Sequence, residues 1–344
     1  MDRQAQIESL WPHRLAVALA LVTFPLIWVG GLVTTYDAGM AVPDWPGTYG
    51  YNLLLYPWQS WLAAPWDLFI EHGHRLLGAT AGFIAIGLVL AAYRRESRGW
   101  VRLLAVGALV LVVAQGLLGG ARVLLDERLV AMIHGCVGPL FFAYLAVLVV
   151  TTSRWWIAAP KLDSATGASF ARAAWATVGL AYGQLMLGAI LRHIPLSAPT
   201  TLFRAALLMH LALAAALALH VLSTPWRARR LPEVAAGSLS GLSLMLTMLI
   251  AAQLLLGLGT YVAKYSYPAW LGEYHFAAAH VVQEKGLWQS LVTTGHVANG
   301  SLILFLAVSL AARGSRLFSL RAWGAPATAA LLAGSLAAVR RGIA

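Results

Sequence analysis

Eight apolar runs, each of roughly 20 residues and nearly free of charge, dominate this chain. They fall near residues 15–34, 75–93, 103–121, 130–152, 173–191, 202–222, 239–263 and 288–311. Runs of that length span the hydrocarbon core of a bilayer as helices. The expected fold class is therefore all-α: a polytopic membrane protein with eight transmembrane helices. Composition supports this. Of 344 residues, 60% are hydrophobic and 11% charged, against about 25% charged in a soluble domain. The first run is too long for a signal peptide and has no small-residue cleavage site.

A net charge of +11 raises the question of nucleic acid, and the placement of the charge answers it. Seventeen of the 24 basic residues lie before run one, between runs two and three, four and five, or six and seven, and after run eight. Examples are Arg14, Arg94, Arg95, Arg98, Arg154, Arg227 and Arg316. The positive-inside rule makes those connections, and both termini, cytoplasmic. Asp37, Asp44, Asp67, Glu71, Asp126, Glu127, Glu273 and Glu284 lie on the other side. The expected partner of this surface is membrane lipid, with no nucleic acid.

The chain divides into two four-helix halves. Residues 1–152 form the first and 173–313 the second. A cytoplasmic linker, 153–172, joins them, and a cytoplasmic or peripheral tail, 314–344, follows. The halves repeat, so two pseudo-symmetric four-helix bundles are expected. Run three carries Gln115 and Gly119, run five Gln184 and Gly188, run seven Gln253 and Gly257. In each case a Gln and a Gly stand one helical turn apart. A glycine there allows close approach and a Gln can bond across the bundle; plain helix packing accounts for the glycines equally. Pro25 is the main interruption within a run.

Four histidines, His74, His134, His210 and His296, lie in the first part of the second, fourth, sixth and eighth runs. Even-numbered runs travel in one direction, so all four share the outer half of the bilayer. Ionisable groups in hydrocarbon are costly and usually functional. Two helices, each offering one His across a bundle core, can hold a haem iron. Superposing the halves matches His74 with His210 and His134 with His296, so that arrangement occurs twice. A packing role is the alternative for any one of them. His220 lies at the cytoplasmic end of its run, and His72 faces away from His74.

The halves differ beside these histidines. Glu71 stands three residues before His74, on the same face, where the second half has Leu207. A carboxylate beside a reactive centre can move protons or stabilise a cation; a salt bridge to a nearby Arg is the structural alternative. Arg75, Arg122, Arg192 and Arg204 sit at the outer ends of runs. They are candidate contacts for the carboxylates of a haem, or for lipid headgroups. The aromatic outer segments 36–70 and 264–287 are expected to lie on the membrane surface as lids or anchors. The only cysteine, Cys136, excludes internal disulfides.

These features together resemble the haem A synthase family. The likeness runs over about residues 15–311 and rests on Glu71-His72-Gly73-His74-Arg75, the later histidines, Pro43-Asp44-Trp45-Pro46 and Gly30-Gly31-Leu32-Val33-Thr34. It implies an oxidoreductase that oxidises a methyl group of haem O to a formyl group, giving haem A for terminal oxidases. It implies haem O as substrate on His74 and His134, and a haem b cofactor on His210 and His296. Glu71 then takes the place of the acid needed for oxidation, either assisting proton movement or stabilising a carbocation. The implied partners are a haem O synthase, oxidase assembly proteins and an electron acceptor. Some members carry a cysteine pair in the first outer loop; its absence here excludes a thiol-based step. The expected setting is a bacterial cytoplasmic membrane. The rival readings are a di-haem b-type electron carrier, with two equivalent haems and no product, and a haem-handling transporter.

Overall fold

A computed structural model describes residues 10–195, 197–265 and 286–319. Eight of its helices are long and apolar enough to cross a membrane. They are α1 (Trp11–Thr35), α2 (Trp66–Arg95), α3 (Gly99–Leu125), α4 (Arg128–Thr152), α5 (Ala165–His193), α6 (Thr200–Leu222), α7 (Glu233–Tyr265) and α8 (Leu287–Leu317). Short helices at Trp58–Leu62, Arg154–Ala158 and Thr224–Arg229 lie in the connections. Among the described residues, β pairing is confined to the isolated bridges Thr48–Tyr51 and Leu162–Phe318. The fold is all-helical, as expected.

Several helices outrun their apolar stretches. The second starts at Trp66 rather than near 75, the fifth at Ala165 rather than near 173, the seventh at Glu233 rather than near 239. Apolarity reports the hydrocarbon layer, whereas a helix continues until its backbone is capped. Ser164 caps α5 by accepting the Gly167 amide at 3.1 Å. Residues 165–172, expected within the linker, are therefore helical. Pro25 does not interrupt α1, and α4 likewise runs through Pro139. The expected tail beyond 319 and most of the outer segment 264–287 lie outside the described residues.

Helix α1 packs on α2 and α4, α2 on α3, and α3 on α4. In the same order α5 packs on α6 and α8, α6 on α7, and α7 on α8. Contacts of α8 with α4 and α1, and of α4 with α5, join the two sets. Within lipid, association depends on close packing rather than on escape from water, and small residues favour it. Ala16, Ala20, Ala81, Ala85, Ala105 and Ala108 are accordingly buried in the first set. The second set packs around Leu217, Leu239, Leu246, Ile303 and Leu310.

This packing lies at one end of the bundle. On even-numbered helices the buried stretch follows the histidine: Ala81 to Ala92 on α2, Phe141 to Leu148 on α4, Leu217 to Val221 on α6. On α1 and α3 it precedes Gly30 and Gly119. The other end, where the 36–65 loop attaches, is left for the histidines. At the packed end, Leu162 donates its amide to Leu317 O at 2.8 Å. The buried Phe318 ring lies against Gly167, where any Cβ would overlap it.

Candidate functional site

Each of the four histidines rests on a glycine of the preceding long helix. A Cβ on Gly119 would stand 3.3 Å from Cε1 of His134, one on Gly188 3.3 Å from Cε1 of His210, and one on Gly257 3.1 Å from Cε1 of His296. Gly30 does the same for His74, with Cε1 at 2.7 Å. The glycines of the sequence repeat thus make room for imidazole rings, and α1 supplies the fourth. The sequence missed this role because Gly30 is preceded one turn earlier by Leu26, not Gln.

The rings meet in pairs. His74 and His134 have centroids 6.5 Å apart, His210 and His296 6.4 Å. Two imidazoles on opposite sides of one metal, with bonds of about 2 Å, place their centroids roughly 6 Å apart. Nδ1 of all four rings is buried with no hydrogen-bond partner among the described residues. Each ring lies beside the main chain of the residue one turn before its glycine: Leu26, Gln115, Gln184 and Gln253 respectively. No group of three or more His, Cys, Asp or Glu converges among the described residues. Two axial nitrogens alone suit a metal that brings its own equatorial ligands, as a haem iron does.

The glutamines fix the histidine helices. Gln115 Nε2 donates to His134 O at 3.3 Å and Gln253 Nε2 to His296 O at 3.0 Å. Asn299 in turn donates to Gln253 Oε1 at 2.7 Å. Gln184 differs, its Nε2 lying 3.1 Å from Nε2 of His210.

The first pair is roofed by a structured loop. Glu71 is buried; its Oε2 accepts the Val42 amide at 2.8 Å and its Oε1 accepts from Arg75 at 2.9 Å. Arg75 also donates to Asp44 O at 2.6 Å, Gly47 O at 2.7 Å and Val42 O at 2.7 Å. Both its terminal nitrogens are thus committed to the loop. Asp44 closes the turn by accepting the amides of Tyr49 at 2.7 Å and Gly50 at 2.9 Å. Burial acts to raise the Asp44 carboxyl, but those amides and Arg75 outweigh it and hold it below its ordinary value. Tyr49 donates its hydroxyl to Ala41 O. His72 faces away from its neighbour His74: Nδ1 lies 2.9 Å from Thr48 Oγ1 and its ring packs on Tyr56 and Trp61. The Trp45 indole lies on Gly120, next to the glycine that seats His134.

The remaining arginines separate. The Arg122 guanidinium lies against Gly39 and within electrostatic reach of Glu71, His74 and His134. Arg192 crosses to α1, donating to Gly31 O at 2.8 Å and Thr35 Oγ1 at 2.7 Å. Arg204 is exposed on the first turn of α6. His220 contacts Ala173 O at 2.9 Å, far along its helix from His210, and Cys136 is half-buried and unpaired.

The family described as cytochrome oxidase assembly protein matches residues 13–202. That stretch includes Glu71, His74, Arg75, Arg122, His134 and Arg192 and ends before Arg204, His210 and His296. The heme A synthase of Symbiobacterium thermophilum is 30% identical over 191 residues, covering 53% of this chain and 59% of that protein. The heme A synthase of Shouchella clausii is 30% identical over 138 residues, 39% of this chain and 44% of that protein. The matched stretch is thus less than two thirds of the length of either relative.

Proposed function

The chain belongs to the cytochrome oxidase assembly protein family, and from that membership and its two histidine pairs we propose that it is a haem A synthase. In this reading residues 1–152 form the half that takes haem O on His74 and His134, and 173–313 the half that holds haem b on His210 and His296. The two halves are related by a pseudo-two-fold axis, with both termini on the cytoplasmic side of a bacterial cell membrane. The observation that carries the reading is the pairing of 6.5 and 6.4 Å between imidazoles, with a buried carboxylate, among the described residues, beside the first pair.

Each residue then has a task. At His74, His134 and His296 an Nδ1–H turned toward the main-chain carbonyl beside it fixes the tautomer and leaves Nε2 for iron; at His210 the Gln184 amide must first release Nε2. Haem b, when bound, carries electrons away from the substrate. Glu71 moves a proton or stabilises positive charge at the ring methyl, and Arg75 keeps it aimed while holding the loop that excludes water. Arg122 is better placed than Arg75 to meet a substrate carboxylate, because Arg75 spends its donors on Val42, Asp44 and Gly47.

Chromatography of haems extracted from the purified protein tests this. Haem B with haem O or A is expected. Two haem B per chain, with no product when haem O is supplied, would make it an electron carrier. His210→Ala and His296→Ala should each lose the low-spin haem b spectrum; an unchanged spectrum in both would remove the ligand assignment.

A further inference from the structure

We propose that the outer rim of the second pocket is a built site for the two carboxylates of a tetrapyrrole, with Arg192 and Lys264 supplying charge and Thr260 and Thr293 supplying hydroxyl donors. This rests on the reading of His210 and His296 as haem ligands.

Helical register places these groups together. Gly188 and Gly257 face the two imidazoles, so the stripes through them line the pocket. Arg192 stands one turn beyond Gly188. Thr260 and Lys264 stand one and two turns beyond Gly257, and Thr293 one turn before His296. Residues three, four or seven apart share a helix face. All four lie on the outer side of the histidines, and Lys264 is within electrostatic reach of Arg192.

Their hydrogen bonding is incomplete in one consistent way. Nη1 of Arg192, Oγ1 of Thr260 and Oγ1 of Thr293 are buried without partners among the described residues. Several hydroxyls elsewhere in these helices bond back to their own turn, Thr177 to Ala173 O at 3.0 Å, Ser243 to Leu239 O at 2.9 Å and Ser301 to Val297 O at 3.0 Å, whereas Ser290 Oγ on α8, one turn before Thr293, is also unpartnered among the described residues. Buried polar groups left unpaired are costly. Arg192 and the two hydroxyls, with no acid paired to them among the described residues, share one need, an anion, and the exposed Lys264 beside them adds positive charge. The salt bridges of the described residues, Glu71–Arg75 and Glu96–Arg98, lie elsewhere.

The first half is built differently at this level. Arg122 occupies the place of Thr260, one turn beyond Gly119. The place of Lys264 is taken by Asp126, whose charge opposes a carboxylate ligand. A resident cofactor needs a grip; a substrate that enters and leaves needs a weaker one.

The test uses the full-length protein, stripped of haem in detergent, with His74→Ala and His134→Ala so that only the second pocket fills. The probes are iron protoporphyrin IX and its dimethyl ester, read by the low-spin spectrum. The diacid should bind at least about tenfold more tightly than the ester. Lys264→Gln and the double variant Thr260→Val/Thr293→Val should each shrink that ratio, and Lys264→Arg should restore it. Equal binding of both probes, or an unchanged ratio in both variants, overturns the proposal. His210→Ala on the same background separates it from its parent: if both probes still bind with the same low-spin spectrum, the ligand assignment fails.

Discussion

Glu71 and Arg75, one turn apart on α2, form an ion pair at 2.9 Å whose other hydrogen bonds reach into the loop between α1 and α2. The carboxylate takes the Val42 amide, and the guanidinium takes the carbonyls of Val42, Asp44 and Gly47. The acid that the sequence marks as chemical is also a latch. A salt bridge to a nearby Arg and a role in catalysis are therefore not alternatives at this position.

Glu71→Gln should leave a folded protein with haem b at the second site and haem A output reduced about 10²–10⁴-fold, the range for losing general acid–base help. Arg75→Met strands a buried carboxylate, costing about 3–5 kcal/mol, and should expose residues 41–58 to protease. Combining the two removes the stranded charge and should recover protease resistance only in part, because the bonds from Arg75 to Val42, Asp44 and Gly47 stay lost. If haem A synthesis returned with it, Glu71 would be a latch only.

The glycine beneath each imidazole gives a second test. Gly257→Leu should push His296 out of line and abolish the low-spin haem b spectrum. Gly241→Leu, on the same helix with nothing within 4 Å of its Cβ, should leave it intact. Equal spectra in the two variants would show that the seat under His296 is unimportant.

Much of this was legible in the sequence because its causes are local or periodic. Eight spans follow from apolar run length, and the pairing of His74 with His134 and His210 with His296 from their matched places in a four-run repeat. The partners of Arg75 were not legible. They are main-chain carbonyls of a loop some thirty residues away, and no side-chain pattern encodes a carbonyl's direction. The same holds for Gly30, whose role appears only when α1 packs on α2. Helix starts at Trp66 and Ala165 escaped for another reason: polar and aromatic residues continue a helix into the interface, where hydropathy no longer marks it.

Orientation is tested by reporters active only outside the cytoplasm. One inserted at 52–55 in the first outer loop should be active, and one at 159–162 between α4 and α5 silent. The reverse pattern would invert the charge-based topology.

Asp44 predicts a pH dependence for the loop. Its folded-state carboxyl is held below the ordinary value of 3.8. The stabilisation it gives is therefore complete above that value and lost as the pH falls through the lower, folded-state one. Protease cutting within 41–58 should be flat from neutral pH down to about 4 and rise below it. Asp44→Asn should cut faster at neutral pH and lose the acid limb. An acid limb unchanged in Asp44→Asn would assign it to another carboxylate.

Trp45 and Gly120 should separate the two pockets functionally. The indole lies on Gly120 so closely that a Cβ there would overlap the ring, while the neighbouring Gly119 seats His134. Gly120→Val must therefore lift Trp45 from α3 and open the roof of the first pocket. Trp45 lies on α3 beside the seat of His134, whereas His210 and His296 stand on α6 and α8. Haem b content and spectrum should stay at the wild-type level, whereas haem A synthesis should need a higher haem O supply to reach half its maximum. Trp45→Ala should behave alike, since it removes the same cover without touching α3. If both variants made haem A with unchanged dependence on haem O, the loop would be an interfacial anchor rather than a cover for the substrate. If both lost haem b as well, the loop would support the whole bundle, and the separation of roles between the halves would fail.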